Sequence, residues 1–148
     1  MICLSSTMPD SLWMKLRKVP WDEYATSPSS KKNLPRLLES LASRKEARAM
    51  RASHEVWTAL CSGDVYSAAE PAFPFLIEIL CISEPSVQGE ILDIFLKFTE
   101  VPEGDSAQSW QRNLHDLLRN EQRFVAKLSH SRDEIVADRA RKLLEALT

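Results

Sequence analysis

"NLPRLLESLA" (33–42) and "AFPFLIEILC" (72–81) decide the fold, because each sets a proline near the start of an apolar run. Laid over one another at an offset of 39, they share Pro35/Pro74, Leu37/Leu76, Glu39/Glu78 and Leu41/Leu80, and Leu34/Phe73 and Leu38/Ile77 are apolar in both. A proline that recurs with its surroundings marks an internal repeat. A helix accepts proline in its first turn, where the missing N–H has no intrahelical partner and φ is already near the helical value. Pro35 and Pro74 therefore predict two helix starts. Ahead of the second, "SAAE" (67–70) has capping-box spacing and predicts a short turn before a bend at Pro71 or Pro74.

A partner helix follows each start. In "EARAMRASHEVWTALCSG" (46–63), Ala49, Ala52, Ser53, Val56, Trp57 and Leu60 fall on one side, and Gly63 suits the left-handed position that ends a helix. "SVQGEILDIFLKF" (86–98) repeats this with Val87, Ile91, Leu92, Ile94, Phe95 and Phe98. A third pair lies in the C-terminal part, where 129–147 aligns with 42–60 at an offset of 87 and Val56/Leu143, Trp57/Leu144 and Leu60/Leu147 correspond. Its first helix carries Trp110, Leu114, Leu117, Leu118, Phe124, Val125 and Leu128 and is long or broken once.

Helix pairs recurring every 40 or so residues, with proline opening the first helix and small residues in the second, resemble HEAT repeats. "VYSAAEPAFPFLIEIL" (65–80) is similar to a motif of short bacterial HEAT-like proteins, which also tend to carry an aromatic-rich segment before the first pair; here that is Trp13, Trp21 and Tyr24. The resemblance covers 33–148 and implies an all-α fold, a right-handed α-solenoid of about three helix pairs behind a short N-terminal helical, aromatic segment. One domain, 1–148, would divide into a cap segment (1–32) and pairs at 33–62, 67–99 and 107–148. The second and third units stand about nine residues further apart than the first two, and other α-solenoids stay open. In such a stack the middle pair is covered on both sides. The change from Arg36 and Ser40 to Phe75 and Ile79 fits that position.

Composition agrees with one helical domain. The 148 residues are 44% hydrophobic and 27% charged, the balance of a folded globular chain. Only Gly63, Gly89 and Gly104 are glycines, which excludes a glycine-rich phosphate loop. Cys3, Cys61 and Cys81 are odd in number and contain no CxxC pair, so a disulfide framework is not expected and a reducing cytoplasm is. The N-terminal stretch does not read as a signal peptide, and no apolar run is long enough to span a membrane.

Candidate chemistry is sparse. His54, His115 and His130 have no second His or Cys at i+3 or i+4, so no metal or other cofactor is expected and each histidine reads as a surface or capping residue. Cys61 and His54, seven apart, share a helix face, but the thiol's apolar setting argues against a nucleophile, and no catalytic residue is assigned.

Charge is distributed unevenly. Residues 15–51 carry ten basic and four acidic residues, a net of +6, whereas 52–105 carry one basic residue, Lys97, against ten acidic ones, a net of −9. The polar stripes of the second helices read Arg48, Arg51, Glu55, Thr58, then Glu90, Asp93, Lys97, Glu100, then Glu134, Asp138, Arg141, Glu145. In HEAT-like arrays the second helices usually line the concave surface, so the resemblance implies that these residues face a partner.

Glu55, Glu90, Asp93, Lys97 and Glu100 are the expected partner-binding set. An acidic groove favours a basic partner and repels phosphate. Three function classes remain. The first is a non-catalytic protein-binding module, in its sharpest form an immunity protein that neutralises a cognate toxin through an acidic concave face. The second is a HEAT-like nucleic-acid-binding or DNA-repair-type protein, kept open by the basic segment 15–51. The third is a subunit of a larger assembly held through Trp13, Trp21 and Tyr24. Oligomeric state and the behaviour of the loop at 99–112 stay open.

Overall fold

The computed structural model describes residues 8–28 and 33–148. These residues form eight α-helices and no strand: α1 (Met8–Lys18), α2 (Leu34–Leu41), α3 (Glu46–Cys61), α4 (Ala69–Ile82), α5 (Pro85–Phe98), α6 (Ser109–Asn120), α7 (Gln122–Leu128) and α8 (Glu134–Leu147). Single 3-10 turns lie at Trp21–Glu23 and Gly104–Ser106.

Proline and glycine punctuate the first hairpin as their chemistry demands. Pro35 occupies the second position of α2, which buries Leu34, Leu37, Leu38 and Leu41. After Cys61, Ser62 leaves helical geometry and Gly63 turns the chain at φ +81°. The same logic fails at Pro74. Helix α4 begins five residues earlier, at Ala69, so Pro71 lies in its first turn and Pro74 lies inside it. An internal proline removes one backbone bond, that to the Glu70 carbonyl, and the ring is exposed.

The expected capping box at Ser67–Glu70 does not form either. Ser67 Oγ accepts the Ala25 N–H at 2.8 Å, and the Glu70 carboxylate accepts from Asn113 Nδ2 at 2.8 Å. Around this point the N-terminal segment is laced to the hairpins by backbone bonds, Ser27 N–H to Ala59 O at 2.8 Å and Ala68 N–H to Ala25 O at 3.0 Å.

Each first helix packs on its successor, α2 on α3 and α4 on α5. In the third unit the break falls at Glu121, and it is α7 that pairs with α8 while α6 lies against α4 and α5. The helices form two rows. In one, α3 contacts α5 and α5 contacts α8; in the other, α2 contacts α4 and α4 contacts α6, with α1 packed on α2. Position in the rows explains the apolar middle: α4 has neighbours on three sides, so Phe75 and Ile79 are buried where Arg36 is exposed.

The core joins the rows through Phe73, Phe95 and Phe98, whose ring centroids are 4.9 Å (Phe73–Phe95) and 6.1 Å (Phe95–Phe98) apart. A buried side chain of this size stabilises the fold by about 1.5–3 kcal/mol. Trp21 joins the same core. Its indole packs on Phe75 at 6.1 Å and its Nε1–H donates to Leu16 O at 2.8 Å, while Tyr24 is half-buried. The side chain of Trp13 lies outside the described residues, as does Cys3. Cys81, near the end of α4, is disulfide-bonded, which departs from the expectation of reduced thiols. Among the described residues no helix is long and apolar enough to cross a membrane.

Candidate functional site

Helices α3 and α5 run side by side in the same direction. At their N-terminal ends Ser86 Oγ donates to a Glu46 carboxylate oxygen, and toward their C-terminal ends Cys61 lies close to Lys97 and Glu100. Between them is a cleft of about 520 Å³. From α5 it is lined by Glu90, Asp93 and Lys97, which recur at intervals of three and four on one helix face, and by Glu100 from the turn just after the helix. From α3 it is lined by His54, Trp57 and Thr58.

Four of the five expected partner-binding residues are therefore gathered in one place. Glu55, on the next position round α3, is half-buried and does not line the cleft. Trp57 departs from the expected core stripe: it is 38% exposed, where Val56 and Leu60 on either side are fully buried. It supplies an aromatic surface to the cleft that the apolar pattern of α3 conceals.

The acidic groups of the cleft each have a nitrogen-bearing side chain beside them. Glu90 Oε1 lies 3.8 Å from His54 Nε2, Asp93 Oδ2 lies 3.2 Å from Arg139 Nη1, and Glu100 Oε1 lies 3.2 Å from Lys97 Nζ. Exposed pairs of this kind are worth about 0–1 kcal/mol, so an incoming charged group exchanges with them at small cost. Burial pushes the Asp93 carboxyl above its ordinary pKa, against the opposing pull of Arg139. Arg139 reaches Asp93 from α8 by crossing Gly89, where an added Cβ would meet Nη1 at 2.8 Å.

The Cys61 thiol beneath the cleft is buried, and burial pushes it up to about 12. A thiol so held stays protonated at neutral pH, and His54 is exposed and directed toward Glu90, so the Cys/His pair considered from the sequence is not assembled. His115 departs from the expected surface role. It is buried, its Nε2 bonds Val101 O at 2.8 Å and its Nδ1 lies 3.6 Å from Glu103 Oε1. Arg119 pairs with the same Glu103 carboxylate, and the Arg112 guanidinium donates to Ala107 O. The loop after α5 is thereby fixed to α6.

A second cleft, of about 540 Å³, opens beside the first. It is lined by Asp64, Tyr66, Pro102 and Trp110, and it shares Lys97 and Glu100 with its neighbour. A third lies apart on α8, where Glu134, Asp138 and Arg141 of the third polar stripe meet Ser129 and His130. No group of three or more metal-ligating side chains occurs among the described residues. No family model matches the chain, nor does any curated protein or solved structure.

Proposed function

We propose that the chain is a protein-binding module, a short HEAT-like α-solenoid that receives a basic protein surface in the cleft between α3 and α5. One observation carries this reading: an exposed tryptophan, Trp57, stands in a concave site among Glu90, Asp93 and Glu100. Aromatic surface is the commonest anchor of protein interfaces, and carboxylates held in weak exposed pairs supply steering and complementarity toward cations. The two helix rows support the solenoid assignment, since stacked hairpins leave the second helices adjacent to one another. The same carboxylates disfavour nucleic acid at this face. In its sharpest form the module is an immunity protein that neutralises a basic toxin.

A photo-crosslinking side chain placed at Thr58 in the cleft, and in a control at exposed Glu39 on α2, tests the reading in source cells. The expected result is a discrete basic protein captured from position 58 and not from 39. Expression of that protein alone and together with this chain then tests for toxicity and its relief. Capture of nucleic acid at 58, or equal capture at both positions, would contradict the proposal.

A further inference from the structure

The two clefts that meet at Lys97 and Glu100 make one groove with an aromatic side chain in each half, Trp57 in one and Trp110 in the other. Four carboxylates line it, those of Asp64, Glu90, Asp93 and Glu100, against the ammonium of Lys97, the imidazole of His54 and, at the edge, the Arg139 guanidinium paired with Asp93. We infer that the occupant of this groove is an extended basic segment, a tail or loop of the partner about five to seven residues long, laid from Trp57 to Trp110. The inference rests on the protein-binding reading above and specifies what is bound.

Length and shape favour a single strand of chain over a broad folded surface. Glu90 stands eight residues before Phe98, the last residue of α5, about 12 Å of helix, and Glu100 lies in the turn just beyond it. An extended chain covers that helix in about four residues, and the groove continues past Glu100 to Trp110. The site is concave in both halves, so a segment enters it while a flat surface would touch only its rims.

Charge sets the composition. Arginine suits both features of the groove, since its planar guanidinium stacks on indole and pairs with carboxylate. Side chains two apart on an extended strand point the same way at a spacing of about 7 Å, so alternate arginines can serve successive carboxylates. Trp110 is half-buried against the core and lines its half of the groove, with its Nε1–H donating to Gln108 Oε1 at 2.9 Å. The far wall is steady because His115, Arg119 and Arg112 hold the loop that bears Pro102.

The test uses the full chain and a fluorescent heptapeptide of alternating arginine and alanine, with an alternating glutamate and alanine peptide as control. Saturable binding of the arginine peptide alone is expected. Trp57→Ala and Trp110→Ala should each weaken it about two- to fivefold, the contribution of one exposed cation–π contact. Glu90→Gln and Glu100→Gln should weaken it and flatten its salt dependence. Circular dichroism melts check that each variant folds.

Loss of binding with Trp57→Ala but not Trp110→Ala would overturn the extended groove while leaving the α3/α5 site intact. Failure of the arginine peptide to bind, with the crosslinked partner still sensitive to Glu90→Gln, would overturn the segment and retain the protein-binding reading. Insensitivity of both peptide and partner to every groove variant would overturn the two together.

Discussion

Gly89 and Arg139 occupy each other's space: a Cβ at position 89 would stand 2.8 Å from Arg139 Nη1, the nitrogen that lies 3.2 Å from Asp93 Oδ2. The missing side chain on α5 is what lets α8 place a cation at the edge of the groove. Gly89→Ala should therefore displace Arg139 from Asp93. Its effect on stability should be small, because the gain in helix propensity of about 1 kcal/mol offsets the loss of a partly exposed pair worth about 1 kcal/mol at most. A chemical-denaturation midpoint close to that of the wild type, with altered groove electrostatics, is the expected outcome.

Arg139→Gln tests the same contact through proton binding. Burial raises the Asp93 pKa and Arg139 opposes it, so removing the guanidinium should move the carboxyl further up from 3.8. With a raised folded pKa, the native state keeps the proton longer than the unfolded one. The stability that this provides is complete below the unfolded value of 3.8 and is lost as pH rises through the folded value. Arg139→Gln should steepen that loss, and carbon-detected NMR titration of Asp93 reads the shift directly.

Much of the fold could be read from the chain because its signals are local. Pro35 opens a helix, Gly63 closes one at positive φ, and the apolar spacing of α2, α3 and α5 follows the period of a buried stripe. The misreadings have long-range causes. Ser67 would cap α4 but is claimed by Ala25, 42 residues earlier, so the helix begins without it and runs through Pro74. His115 is buried because Val101, 14 residues earlier, offers it a carbonyl. At the candidate site, the stripe Glu90, Asp93, Lys97 was legible as a helix face, with Glu100 falling in the turn beyond it, whereas Trp57 was not. One helical step separates the core positions of α3 from its groove positions, and only the placement of α5 decides between them.

Cys61 gives a second pH-dependent test. Its folded pKa of about 12 exceeds the value of 9.0 in an open chain, so the stability tied to the neutral thiol is complete below 9.0 and falls as pH rises toward 12. Within that window the slope is up to about 1.4 kcal/mol per pH unit. Cys61→Ala should lower stability near neutrality and flatten the alkaline loss. At neutral pH the native wild-type thiol should resist iodoacetamide until the chain is denatured, as read by mass spectrometry.

Two further substitutions separate the core from a helix end. Phe95→Ala removes the ring that touches both Phe73 and Phe98 and should cost about 3–5 kcal/mol, visible as a large fall in the melting temperature. Asp133 caps α8 by accepting the Ile135 and Val136 N–H groups at 3.0 and 3.1 Å. Asp133→Ala should cost about 1 kcal/mol, with amide exchange accelerated in the first turn of α8 and little change in α3.

The most direct measurement of the central claim is the affinity of the crosslinked partner for the wild type and for the combined Glu90→Gln, Asp93→Asn, Glu100→Gln variant, taken by calorimetry at low and moderate salt. A basic partner seated in the α3/α5 groove predicts tight wild-type binding that weakens with salt, and a variant that binds more weakly with a shallower salt dependence. Equal affinity and an equal salt slope for the two proteins, both folded, would contradict it.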